Sequence, residues 1–443
     1  MDQGHAEVVE LEVGVEHVDR VAAIDIAKAS AMVCTRLPHG SVAGRRVQRT
    51  WPVKATTAAI VELAGQLVDE GVQLVVMEAT GVFWKPFFFL AEAQGLTCWL
   101  VNARDVKNVP GRPKTDKLDA IWLAKLAERG MLRPSFVPPA GQRELRDLTR
   151  LRKVLTEERS RHRTRIQDVL EDACIKVSDK TEGASDLFGV SGRAMLEALV
   201  AGTRDPKTLA DLARGTMRRK IPALEQALTG RFNDHHGRQI GVLLRLHDGL
   251  TGEIGQLTAQ IEAKIAELDP TPPPDEDHPG RRPLLDRLDE IPGIGREAAA
   301  TILGEIGFDM TAFPTEGHLA SWAKLTPRTI QSGAKNTHGP SGKGNRWLKG
   351  TLGNAAVNTG RTKTFLGARY RRIIKHAPKK KAVVAISRNI LEICWHLIGD
   401  PDARFTDLGP NWHDRHTNTA RKTRQHIHEL EHLGYTVTLT PAA

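Results

Sequence analysis

The chain has 443 residues, of which 40% are hydrophobic and 26% charged, and a formal net charge of +10. That length predicts two or three domains, the basic balance points to a polyanionic partner, and no continuous apolar run has the length of a membrane span. Four scattered cysteines (Cys34, Cys98, Cys174, Cys394) without CxxC spacing argue against a zinc site or disulfide framework and fit a reducing cytoplasm. In chain order, Met1–Asp19 is acidic and lacks a signal-peptide layout, so no export is expected and residues 1–19 read as a disordered tail.

From Val21 the sequence predicts a three-stranded meander: Val21–Ile26, Ala31–Leu37 and Gly44–Val53, with Pro38-His-Gly40 turning between the last two. Thr56–Gly71 carries Ile60, Leu63, Leu67 and Val68 at the spacing of an amphipathic helix. Gln73–Met77 is the near-continuous apolar run of a strand buried on both faces. A helix over Lys85–Ala93, a strand over Thr97–Val101, a polar segment Asn102–Thr115 and a helix over Asp116–Gly130 follow. Strands first, then alternating helix and strand, is the order of an RNase H-like α/β domain, here residues 20–135.

Four carboxylates stand out in that domain. Asp25 interrupts the apolar Val21–Ile26 run, Glu78 ends the run Leu74–Glu78, and Asp116 and Asp119 sit three apart at a helix start, hence on one helix face. Taken singly, each has a plain reading. The first two fit acids on the solvent side of a strand, and the second two fit acids favoured by the helix dipole. Taken together, two strands and a helix deliver four oxygen donors, the preference of Mg²⁺. A pair of such ions clamps the attacking and leaving oxygens of a phosphoryl displacement. The expectation is a Mg²⁺ cage of Asp25, Glu78, Asp116 and Asp119, holding two ions, for phosphodiester chemistry.

Pro134–Pro139 breaks the chain, and residues 140–268 read as a helical, coiled-coil domain. A long helix is expected over Gln142–Ala173, with nine Lys or Arg between Arg143 and Arg165. Residues 177–237 are helical and irregular. Leu250, Ile254, Leu257, Ile261, Ile265 and Leu268 then step by 3 or 4, a seam for an antiparallel coiled-coil pair or an oligomer contact. Proline and acid mark 269–283 as a linker. Residues 284–400 form a last, mostly helical domain. There Ile291-Pro-Gly-Ile-Gly295 joins two helices as in a helix-hairpin-helix, whose Gly293 and Gly295 would bring backbone N–H groups to a phosphate. Residues 401–443 hold His413, His416, His426, His428 and His432 without metal-ligand spacing and read as a C-terminal tail.

From Gly317 to Leu391 there is no Asp or Glu but 16 Lys and Arg; subtracting these leaves the rest of the chain at −6. Ordinary surfaces mix signs, so this segment is expected to contact nucleic acid, through Arg328, Lys335, Lys343, Arg346, Arg371 and Arg372. A membrane surface is the weaker alternative, because no amphipathic anchor accompanies the charge. The segment also holds three hydroxyls that could attack a phosphate: Ser332, in a polar loop before Gly333, Ser341 and Tyr370. Spacing does not rank them, and water is a fourth option.

These motifs together resemble the DEDD-type insertion-sequence transposases, the relatives of the Piv DNA invertase. The matching stretches are Ile24-Asp25-Ile-Ala-Lys28, Met77-Glu78-Ala-Thr-Gly81, Lys114-Thr-Asp116-Lys-Leu-Asp119-Ala, Ile291-Pro-Gly-Ile-Gly295, and Leu325-Thr-Pro-Arg328 with Gln331-Ser332-Gly333. The resemblance spans about residues 20–400 and leaves both tails outside. It implies a RuvC-like N-terminal domain, with Asp25, Glu78, Asp116 and Asp119 as metal ligands and Ser332 as nucleophile. It also implies an element-encoded guide RNA that pairs with donor and target DNA, and a dimer or tetramer in which two subunits complete each site. The fold class expected is α/β plus all-α, and the function is Mg²⁺-dependent DNA recombination through a phosphoserine. The alternatives are a junction nuclease using water on the same fold, and a non-catalytic nucleic-acid-binding scaffold.

Overall fold

The computed structural model describes residues 18–42, 44–79, 81–102, 115–177, 186–332, 335–416 and 419–440. Residues 1–17 of the expected 1–19 tail and most of the polar segment 102–115 lie outside them. The chain divides into two compact units, Met1–Val137 and Pro138–Ala443.

The first unit is built on a five-stranded sheet of order β3-β2-β1-β4-β5. Strands β1 (Val21–Ile26), β2 (Ser30–Pro38) and β3 (Arg46–Lys54) form the antiparallel meander. Strands β4 (Leu74–Glu78) and β5 (Cys98–Val101) extend it in parallel. Helices α1 (Thr57–Asp69), α2 (Trp84–Ala93) and α3 (Asp116–Glu128) cover the sheet. This is the strand order and mixed direction of an RNase H-like domain. Alternation along β1 and β4 assigns the faces. Ala22, Ile24, Ile26, Val75 and Met77 pack with Ile60, Leu63, Leu67 and Phe87 of α1 and α2. Val21, Ala23, Leu74 and Val76 pack with Ala120, Leu123, Ala124 and Ala127 of α3. Glu128 pins the far end of α3 by accepting from Arg36 at 2.6 Å and pairing with Arg46 at 2.7 Å.

In the second unit α4 (Ala140–Asp172) and α8 (Asp234–Leu268) run antiparallel. Lys264 meets Glu144 at 2.7 Å at one end of the pair, and His236 meets Asp172 at 3.0 Å at the other. The heptad-like residues Ile254, Leu257, Ile261 and Ile265 are buried within the chain. Between these helices, α5 (Val190–Val200), α6 (Pro206–Ala210), a 3₁₀ turn and α7 (Ile221–Ala227) close a cap around Leu170, Met195, Leu196, Leu209, Leu224 and Ile240.

The chain then forms α9 (Leu284–Asp289), α10 (Arg296–Ile306), α11 (Glu316–Trp322), the hairpin β6 (Arg328–Ser332) and β7 (Lys335–Gly339), α12 (Arg346–Thr359), α13 (Phe365–Ile374) and α14 (Lys379–Gly399). Helix α14 amends one expectation. Among the described helices it is the one long and apolar enough, by length and composition, to cross a membrane. Its Ala382, Ile386, Ile390, Leu391, Cys394 and Leu397 are nonetheless core residues here, and Arg388 and Glu392 pair at 2.6 Å along it. The histidine-bearing end differs from a free tail over residues 401–416. Arg404 pairs with Glu290, Asp407 accepts from the Phe365 N–H at 2.9 Å, and Trp412 meets the Phe365 ring edge-on. Helices α15 (Trp412–Arg415) and α16 (Thr419–His432) end the fold.

The turn between α9 and α10 is clamped to α12. The Thr359 hydroxyl is shared between the carbonyls of Pro292 at 2.6 Å and Ala355 at 2.8 Å. Gly293 has φ +88°, and a Cβ there would fall well inside contact distance of Thr359 Oγ1 and the Ala355 carbonyl. Gly293→Ala should therefore cost roughly 1–3 kcal/mol for the left-handed backbone and a similar amount for overpacking. A urea melt should show this as a lower midpoint at unchanged slope; an unmoved midpoint would mean the turn is not clamped.

Candidate active site

In the first unit two of the four acids lie on neighbouring strands and two open the helix that covers the same sheet face. Ile24 of β1 is in register with Met77 of β4, and Asp25 and Glu78 each follow by one residue. They therefore stand at the same level on neighbouring parallel strands. By alternation both belong to the face that carries Val21, Ala23, Leu74 and Val76, the face covered by α3. Asp116 and Asp119 open α3, and the stripe they begin continues through Ala120, Leu123 and Ala127, which are buried against that face. Thr115 caps the helix, its hydroxyl accepting from the Leu118 N–H at 3.3 Å. Asp25, Glu78 and Asp119 are half-buried and Asp116 is exposed.

An all-carboxylate donor set suits a hard divalent cation, and its placement at the ends of parallel strands beside a helix start suits delivery to one point. The set is not closed into a cage. Among the described residues no group of three or more His, Cys, Asp or Glu stands in metal-holding geometry. That applies equally to the C-terminal histidines. Cysteine offers no alternative nucleophile at Cys98 or Cys394, because burial pushes both thiols up to about 12.

In the second unit Ser332 differs from its expected place in a loop. It is the last residue of β6, paired in register with Lys335 of β7, and Gly333 lies outside the described residues. Ser341 precedes α12 in irregular chain and is half-buried. Tyr370 is removed as a rival. It is 7% exposed and packed so closely on Gly360 that a Cβ there would lie 2.6 Å from its ring. The proposed contact residues divide in the same way. Arg328, Lys343, Arg346 and Arg372 are exposed, and Arg346 lies 4.5 Å over the Trp347 ring. Arg371 is engaged by the carbonyls of Gly360 and Thr362, at 2.9 and 2.8 Å.

Two of the dense cations of α4 serve the fold. Arg146 donates to the carbonyls of Gly304 and Glu305, at 3.1 and 2.6 Å. Arg150 meets the Glu305 carboxylate through two nitrogens, at 2.7 and 2.9 Å. Glu305, fully buried in α10, also accepts from Asn345 Nδ2 at 2.6 Å, and Asn345 caps α12 through the N–H groups of Trp347 and Leu348. Sequence reasoning missed this cluster. The signal was an acid in the apolar run Ala299–Ile306, the same pattern that drew attention to Asp25.

Comparisons with known proteins agree with this arrangement of modules. Residues 22–175 match a family model described as a transposase of the DEDD, IS110 type. Residues 285–371 match the model of the transposase IS116/IS110/IS902 family. An insertion element IS110 uncharacterized 43.6 kDa protein of Streptomyces coelicolor is 48% identical over 69 residues, 15% of this chain and 16% of that protein. The pilin gene-inverting protein of Moraxella bovis is 36% identical over 116 residues, 25% of this chain and 35% of that protein; its Moraxella lacunata counterpart matches to the same extent. The chain thus spans about a third or less of the length of these relatives. The Thermus thermophilus RuvC structure aligns over 26% of this chain and 99% of its own, with 14% identity and a TM-score of 0.21.

Proposed function

Because the chain belongs to the IS110-type DEDD transposase family, we propose that it is a site-specific DNA recombinase of a mobile element. The observation that supports this reading is the placement of Asp25 and Glu78 at one level of adjacent strands, on the face covered by α3, the helix that Asp116 and Asp119 open. These four would hold Mg²⁺, which when bound neutralises charge on a scissile phosphate. The ligand carboxylates fix where that phosphate sits.

The Moraxella relatives are named for gene inversion, which demands rejoining as well as cutting. Rejoining favours a protein nucleophile, because a covalent phosphoester retains the energy of the broken bond. Ser332 Oγ would attack phosphorus as its proton leaves, breaking the bond to the 3′ oxygen, which takes up a proton as a 3′-hydroxyl. A 3′-hydroxyl of the partner strand then attacks the phosphoserine and frees Ser332. Arg328 and Lys343 are suited to the DNA backbone, and Gly293 and Gly295 to a phosphate at their turn. An element-encoded guide RNA, and a dimer or tetramer with sites completed between subunits, belong to the same proposal.

A nicked duplex that prevents religation should trap a protein–DNA adduct with the parent chain and with Ser341→Ala, and none with Ser332→Ala. An adduct surviving Ser332→Ala would mean a different nucleophile. Cutting without any adduct in Ser332→Ala would mean that water attacks and the protein is a nuclease.

A further inference from the structure

The last described stretch, Tyr435-Thr-Val-Thr-Leu-Thr440, alternates apolar and hydroxyl side chains without a break and holds no charge. That is a strand pattern, yet no strand forms there. Helix α16 ends at Gly434, whose φ of +89° turns the chain back along the helix, and the Tyr435 N–H donates to the Leu430 carbonyl at 3.1 Å. Val437 and Leu439 then line one cleft, of about 460 Å³, with Ile427 and Leu430 of α16. By alternation Thr436 and Thr438 belong to the opposite face. Among the described residues, no main-chain group of 436–440 is paired with another main chain. The apolar face is only half covered: Tyr435 is 65%, Leu439 57% and Leu430 41% exposed.

An extended edge of this kind templates a further strand. Its chemistry fits a second copy of itself. Antiparallel pairing about Val437 sets Tyr435 opposite Leu439 and Thr436 opposite Thr438, so the two apolar faces fall on one side. No like charges meet, because 434–440 carries none. Each segment folds back on its own helix, so the two copies of α16 run antiparallel as well. Charge is segregated along that helix, with Arg421, Lys422 and Arg424 in its first half and Glu429 and Glu431 in its second. Unlike halves therefore meet. Two strands alone are marginal in water, and here two helices supply the packed face.

We propose that residues 435–440 of two copies pair as an antiparallel two-stranded sheet over two α16 helices, a self-association surface outside both matched modules. The multimer belongs to the recombinase reading above, whereas this surface uses none of its chemistry.

Cysteines read the register directly. On the full chain, with the exposed Cys174 replaced by Ser, Thr436→Cys and Thr438→Cys chains are co-produced under different tags and oxidised. They should give a disulfide-linked dimer, because directly opposed Cβ atoms lie about 4.5–5.5 Å apart, close to the disulfide range of about 3.5–4.5 Å. Either chain alone should give at least about fivefold less, since diagonal neighbours lie about 7–8 Å apart. Leu439→Glu in both chains should cut the yield by about tenfold, by setting like charges at the seam, at an unchanged thermal midpoint. No cross-link in the co-produced pair, an equal yield from the single chains, or a yield indifferent to Leu439→Glu each overturns the proposal. So does an internal cross-link in a Leu11→Cys, Thr438→Cys chain that excludes the dimer, which would assign the edge to the chain's own N-terminal segment. If Ser332 forms no adduct while the paired cysteines still link, the recombinase reading fails and the surface stands; the converse result sinks the surface alone.

Discussion

Glu305→Ala is expected to destabilise the second unit by about 3–5 kcal/mol, the cost of removing one partner from a buried ion pair. The carboxylate is fully buried and faces Arg150 at 2.7 Å, Arg146 at 3.3 Å and Asn345. Burial already pushes the Arg146 guanidinium below its ordinary value, and Glu305 is what opposes that. Without it two cations would face each other at a largely buried position. Domain stabilities are about 5–15 kcal/mol, so the variant should lose much of its cooperative melt. Arg150→Met added to Glu305→Met should recover part of the loss, because an apolar pair leaves one fewer orphaned charge. Urea denaturation of the single and double variants decides this. If Glu305→Ala melts with the parent, the cluster contributes nothing to stability.

Asp25→Asn should abolish strand cleavage while leaving the fold intact. Even groups that merely orient metal ligands are worth about 10–100-fold, so loss of a direct ligand should exceed about 100-fold. Stability should hold, because Asn keeps the size and shape of Asp at a half-buried strand position. Cleavage of a labelled duplex together with a thermal melt tests both halves. Activity within tenfold of the parent would remove Asp25 from the metal site. A lost melt would make its role structural.

Much of the first unit was legible in the sequence because its signals are local. The apolar runs at 21–26 and 74–78, the Pro38–Gly40 turn and the spacing of Ile60, Leu63 and Leu67 each prescribe an element within a few residues. An acid in an apolar strand stands out for the same reason. The β6–β7 hairpin carries no such signal. Arg328–Gly339 is polar, without alternation, and its strands are held by backbone pairing that any residue can supply. Ser332 therefore read as a loop residue.

By itself the sequence determined the sheet elements, the helix that begins at Asp116 and the acid-free run of 75 residues, since periodicity and composition are properties of neighbours along the chain. The tertiary structure alone decided what each charge does. Arg150 and Glu305 are 155 residues apart, Arg371 directs one guanidinium nitrogen to its own chain's carbonyls, and Tyr370 is sealed against Gly360. Whether a cation meets a phosphate, a buried carboxylate or nothing at all depends on which distant element packs over it, and no local spacing records that.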